Sequence, residues 1–181
     1  MKLTNQTRRR AVQAAKGEVP FDLLLTNANI IDMVTGEIRP ADIGITDGLI
    51  ASVHPTGSRT DSHETHDSSG KFISPGFIDT HVHLESSHLP PARYAEIVLT
   101  QGTTAVFWDP HELANVLGLD GVRYAIDASR NLPLDVMVAA PSSVPSTPGL
   151  EMSGADFAGQ EMSTMLSWPE VRGVAEVMDM F

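Results

Sequence analysis

The chain has 181 residues, 41% hydrophobic and 19% charged, an ordinary globular composition that excludes a disordered polymer and fits one domain with a small appendage. Cysteine is absent, which excludes disulfides, thiolate metal sites and a cysteine nucleophile, so any metal chemistry must draw on His, Asp and Glu. The formal charge is −11, and five of the twelve basic residues precede the first acid, Glu18. The remaining body repels phosphate backbones and excludes a nucleic-acid partner. The basic start lacks the apolar run of a secretory signal, and no stretch approaches the roughly 20 apolar residues of a membrane span. A soluble cytoplasmic protein without a membrane partner is expected.

Thr4 to Lys16 reads as a short polar helix closed by Gly17 and Pro20, with Arg8, Arg9 and Arg10 on a solvated face. It forms a helical segment over 1–20. Phe21 to Ile31 is apolar, and the pairs Thr35-Gly36 and Asp47-Gly48 are turn signals around Ile38, Ile43, Ile45 and the run Leu49 to Val53. Short strands with tight turns predict a small sheet over 21–73. His54 to Gly70 is rich in Ser, Thr, Asp and His and is expected to be a loop, with His54, His63 and His66 solvated.

Over 74–181 apolar runs alternate with amphipathic helices. Strands are expected at Phe77 to Leu84, Thr103 to Trp108, Leu134 to Ala140 and Val171 to Met178. Helices are expected from Pro91, with Tyr94, Ile97 and Val98 on one face and a stop at Gly102. Others run from Asp120 to Asn131 and from Ala155 to Trp168, the last with Met162, Met165 and Leu166 at core spacing. This β-α-β-α-β-α-β order implies parallel strands with right-handed crossovers, either a doubly wound sheet or part of a (β/α) barrel. No Gly-rich dinucleotide turn or P-loop follows a strand, and Gly118-Leu119-Asp120-Gly121 lacks the strand that a phosphate loop requires.

The chemistry collects at the strand ends. Alternate residues of a strand point to one side, so His81 and His83 stand side by side, able to converge on one divalent cation. Asp79 and Glu85 share their parity and offer supporting or further ligands. The second strand ends in Asp109-Pro110-His111-Glu112, three more candidate ligands, although Asp109 before Pro110 also reads as a helix N-cap. The third ends in Pro141-Ser142-Ser143-Val144-Pro145, a polar turn in which Ser142 and Ser143 suit contact with a ligand. The fourth carries Glu176 between apolar neighbours. An ionised carboxylate there costs several kcal/mol unless a metal or a hydrogen bond compensates it.

The run Pro75-Gly76-Phe77-Ile78-Asp79-Thr80-His81-Val82-His83 resembles the metal-binding first strand of the amidohydrolase superfamily. Leu84 to Ser87, Gly102-Thr103-Thr104, Asp109 to Gly118, Leu132 to Val136 and Pro141 to Pro145 together resemble its bacterial adenine deaminase family. The resemblance spans nearly the whole chain and is weakest over 54–70. It implies the N-terminal half of a TIM-like (β/α) barrel preceded by strands of a small β-sandwich. It implies hydrolytic deamination of adenine, with manganese as the expected metal and iron or zinc as alternatives. On that pattern His81 and His83 hold one metal and Glu176 is the bridging carboxylate. Glu85, Asp109, His111 and Glu112 are auxiliary ligands or support, and Asp179 departs from the family's usual residue. The family is several hundred residues long and places further His ligands and a catalytic Asp on later strands. The 181-residue chain is therefore expected to be a fragment, inactive alone and open to self-association. The alternative is a non-catalytic fragment that binds metal or a partner.

Overall fold

The computed structural model describes residues 3–178, and Asp179 lies outside them. The chain divides into two compact units, Met1–Pro75 and Gly76–Phe181.

The first unit begins with α1 (Asn5–Ala15). Thr4 precedes it in an extended conformation, and its hydroxyl accepts from the Thr7 N–H at 3.1 Å, satisfying a first-turn donor that the helix cannot. Arg8 and Arg9 are exposed as expected, but Arg10 is an anchor. Its guanidinium grips Asp22 in a fork and also donates to Asp47.

Five strands follow: β1 (Phe21–Ile31), β2 (Ile38–Thr46), β3 (Leu49–His54), β4 (Ser62–Asp67) and β5 (Phe72–Ile73). They form one sheet in the order β3-β2-β1-β4, with β5 also beside β1. The β2–β3 hairpin turns on Asp47-Gly48, both at positive φ. Ala28, Ile30, Ala41 and Ile43 make one core cluster, while Ala14, Phe21 and Leu24 make another that includes α1.

β4 corrects the expected loop. Its side chains are almost all exposed, so no hydrophobic period marks it. Parallel backbone pairing, from Phe21 with Ser62 to Thr26 with Asp67, makes it a strand. His63 and His66 are exposed, as expected. His54 is buried instead: its ring stacks on Phe21 at 5.8 Å, and Nδ1 lies 2.9 Å from the Ser52 hydroxyl.

The second unit contains four parallel strands, β6 (Phe77–Val82), β7 (Thr103–Trp108), β8 (Asp135–Ala140) and β9 (Val171–Val174), in that spatial order. Strictly sequential neighbours match the first half of a TIM-like barrel, whereas a doubly wound sheet reverses direction at a switch point. The crossovers carry α2 (Pro91–Thr100), α3 (His111–Leu117), α4 (Leu119–Ala128) and α5 (Gly159–Leu166). On α2, Ala95 is buried and Tyr94 and Val98 pack beside it on the expected face, whereas Ile97 is exposed. The main core gathers Leu84, Trp108, Val122, Ile126, Val138 and Met165.

Two boundaries differ from expectation in ways that affect the strand ends. The residues after Pro110 form a separate helix, α3, before the α4 anticipated at Asp120. β9 closes at Val174, so Glu176 lies just past the strand and not inside it, and its side chain keeps 36% exposure. The burial cost expected for an acid within an apolar strand is correspondingly smaller.

Candidate metal centre

Backbone register brings the C-terminal strand ends together. Val82 pairs with Trp108, Trp108 with Val138, and Ala140 with Val174. The Asp109 N–H donates to the Val82 carbonyl, and the Ala175 N–H to the Ala140 carbonyl, both at 2.9 Å. The residues just beyond these pairs therefore face a common space.

His81, His83, Asp109 and Glu176 meet there, each offering one donor atom, all within 4.8 Å of one another. Nε2 of His81 lies 3.3 Å from Nε2 of His83 and 3.2 Å from Asp109 Oδ2. Nε2 of His83 lies 3.5 Å from Asp109 Oδ2 and 3.5 Å from Glu176 Oε1. Sequence reasoning placed His81, His83 and Glu176 in the first rank and Asp109 among the auxiliaries. The structure puts Asp109 at the centre, with its side chain 1% exposed. It is not the cap of α3: the helix follows Pro110 with no side-chain cap. An acid ending an apolar strand is the signal that marks it.

The electrostatics fit a cation. Burial pushes the Asp109 carboxyl above the ordinary carboxylate range, partly offset by His83 and His81. Its Oδ1 is buried with no hydrogen-bond partner, and an orphaned buried oxygen needs a compensating charge or donor. The His83 imidazole turns Nδ1 to a carboxylate, at 2.9 Å from Glu112 Oε2, and its Nε2 faces another imidazole nitrogen and two carboxylates. Nitrogen and oxygen donors without sulfur suit a borderline or hard divalent ion.

The other candidates occupy a surrounding layer. Glu85 accepts from the Trp108 indole N–H at 2.6 Å and from the Glu112 N–H at 3.1 Å, and burial pushes its carboxyl upward. His111 is buried beside the set, its ring 5.7 Å from that of His83, and its Nε2 lies 3.0 Å from the Ser146 hydroxyl. The hydroxyls of Ser142 and Ser143 both bond the backbone: Ser142 donates to the Glu176 carbonyl at 2.6 Å, and Ser143 accepts from the Met178 N–H at 3.0 Å. They tie the segment that carries Glu176 to the turn after β8. Beside the donor set, Thr80, Phe107, Ala139 and Val174 line a small cleft of about 120 Å³.

Residues 72–178, more than half of the sequence, match the Amidohydrolase family. The chain belongs to that family. It is 81% identical over 175 residues to the adenine deaminase of Klebsiella pneumoniae (strain 342), covering 97% of this chain and 29% of that protein. To the adenine deaminase of Serratia proteamaculans (strain 568) it is 74% identical, with 96% and 29% covered. The chain thus spans under a third of the length of these curated relatives. Among solved structures it resembles L-hydantoinase (dihydropyrimidinase) from Arthrobacter aurescens, with a TM-score of 0.55 at 24% identity, covering 71% of this chain and 29% of that one. It also resembles D-aminoacylase, with a TM-score of 0.57 at 23% identity, covering 81% and 35%. These two likenesses are of fold.

Proposed function

We propose that this chain carries the first half of the active site of a metal-dependent adenine deaminase, which hydrolyses adenine to hypoxanthine and ammonia. The observation that carries the reading is the set of four donors on successive parallel strand ends. The 81% identity to an adenine deaminase supports the substrate. In the reaction a C–O bond forms at the purine carbon bearing the amine and the C–N bond breaks. One water proton goes to the departing amine and the other to the ring.

His81, His83, Asp109 and Glu176 are the proposed holders of a divalent ion, with Glu176, the most exposed of the carboxylates in the set, suited to bridge two. Manganese is the proposed metal, as the resemblance to adenine deaminases implies, and paired imidazoles with paired carboxylates are donors it accepts. When bound, such an ion generates a nucleophile from water near neutral pH and polarises the reacting group. The chain's own residues set the geometry. Ser142 and Ser143 fix the backbone that carries Glu176, and the register of β6 with β7 fixes Asp109 against the two imidazoles. Phe107 and Val174 give the adjacent cleft an apolar wall of the kind that suits a flat heterocycle.

Metal content after dialysis tests the reading. The wild-type chain should retain manganese by elemental analysis, and the His81→Ala/His83→Ala double variant should retain none. Equal metal content in the two would overturn it.

A further inference from the structure

Glu112 is not one of the four donors, yet it holds one of them. Both of its carboxylate oxygens lie within hydrogen-bond distance of His83 Nδ1, at 3.0 and 2.9 Å, and the Ser86 hydroxyl donates to Oε1 at 3.2 Å. Glu112 is itself fixed. It sits in the first turn of α3, where its backbone N–H donates to Glu85 Oε1 at 3.1 Å and that of Leu113 to the same oxygen at 3.4 Å. The other oxygen of Glu85 is pinned by the buried Trp108 indole. A rigid path therefore runs from the core through Glu85 and α3 to His83.

We infer that Glu112 is a positioning residue that selects the His83 tautomer with the proton on Nδ1 and the lone pair on Nε2, aimed at the metal centre. The inference rests on the proposed metal reading for its purpose but not for its geometry. A neutral imidazole in water divides itself between two tautomers. A carboxylate held at Nδ1 accepts only from N–H and so favours one of them, turning the ring by the same bond. Its partner His81 has no such carboxylate at Nδ1 among the described contacts, so the selection is confined to one of the two imidazoles.

The experiment uses the 181-residue chain without metal, ¹⁵N-labelled at histidine, at about pH 9, well above the ordinary imidazole pKa of about 6.5. Imidazole ¹⁵N shifts and two-bond couplings report the tautomer of each ring. Because the Glu112 contact at 2.9 Å is shorter than those of Nε2 to Asp109 and Glu176, both at 3.5 Å, wild type should show His83 mainly protonated at Nδ1, Glu112→Ala a shift toward the Nε2-protonated form, and Glu112→Gln, which retains an acceptor oxygen, a return toward wild type. His81 should be unchanged in all three. Glu112 is half exposed on its side chain, so neither substitution empties the core, and circular dichroism checks that the fold persists. An unaltered His83 tautomer in Glu112→Ala would overturn the inference. In parallel, manganese affinity measured by titration calorimetry should fall about 10- to 100-fold in Glu112→Ala. If the wild-type chain takes up no manganese, the metal reading fails while the tautomer measurement still decides the role of Glu112. An affinity equal to wild type in Glu112→Ala would overturn the role of the bond in metal binding.

Discussion

Asp109 is the residue whose environment speaks most directly for a cation, because one of its oxygens is buried with nothing to bond. Asn at this position keeps the shape and removes the charge. Asp109→Asn should melt no lower than wild type in the absence of metal, since a buried charge that the two imidazoles only partly offset is removed. It should lose the rise in melting temperature that manganese confers through binding the folded state. A manganese-dependent rise equal to that of wild type would take Asp109 out of the donor set. At the far end of the chain Arg10 makes a different kind of ion pair, half exposed, which hydrogen-bonds Asp22 and holds its carboxyl below the usual range. A depressed folded-state value contributes stability that is present above the ordinary carboxylate pKa of about 3.9 and is lost as pH falls through the lowered one. The urea midpoint of Arg10→Ala should therefore lie below that of wild type at neutral pH. The difference should close in strong acid, and a gap that persisted there would mean that Arg10 acts through packing.

Among the elements, β7 and β8 were legible because parallel strands buried toward their C-terminal ends read as apolar runs. The pair His81 and His83 was legible because strand alternation is a local rule. β4 was not, since a polar strand held by backbone pairing to a partner some forty residues earlier carries no periodicity of its own. The convergence of Asp109 with the imidazoles was only half legible for the same reason: it depends on the register between strands, which no single segment encodes. The end of β9 was overrun because Ala175 to Met178 has strand composition. The Ser142 and Ser143 hydroxyls, read as ligand contacts from their polarity, are used by the chain that follows that strand. Within the first sheet one small residue has a decisive place. A Cβ on Gly44 would lie 2.4 Å from the ring of Phe21, which is fully buried. Gly44→Ala should cost about 1–3 kcal/mol through overpacking, measurable by urea denaturation. An unchanged midpoint would show that the ring can move aside.

For the molecule as a whole, the chain of 181 residues should form no hypoxanthine from adenine and manganese beyond a metal-only control, followed by chromatography. Four donors at one sheet end do not complete two coordination spheres. The neighbouring groups able to move a proton are already engaged, Glu112 by His83 and His111 by Ser146. Lack of a general acid–base costs about 100- to 10,000-fold, and the parallel sheet leaves β6 and β9 as edges open to water, which weakens electrostatic stabilisation at its end. Turnover above the control would mean that these residues assemble a working site without further strands.

The sequential order of β6 to β9 also sets a timetable. During synthesis the two imidazoles leave the ribosome first, the buried carboxylate about one βα step later, and Glu176 only after two further steps. N-terminal segments emerge and begin to organise first, so a nascent chain that has reached β7 already owns three of the four donors. Three of the proposed donors can thus come together before the segment that carries the fourth has been made.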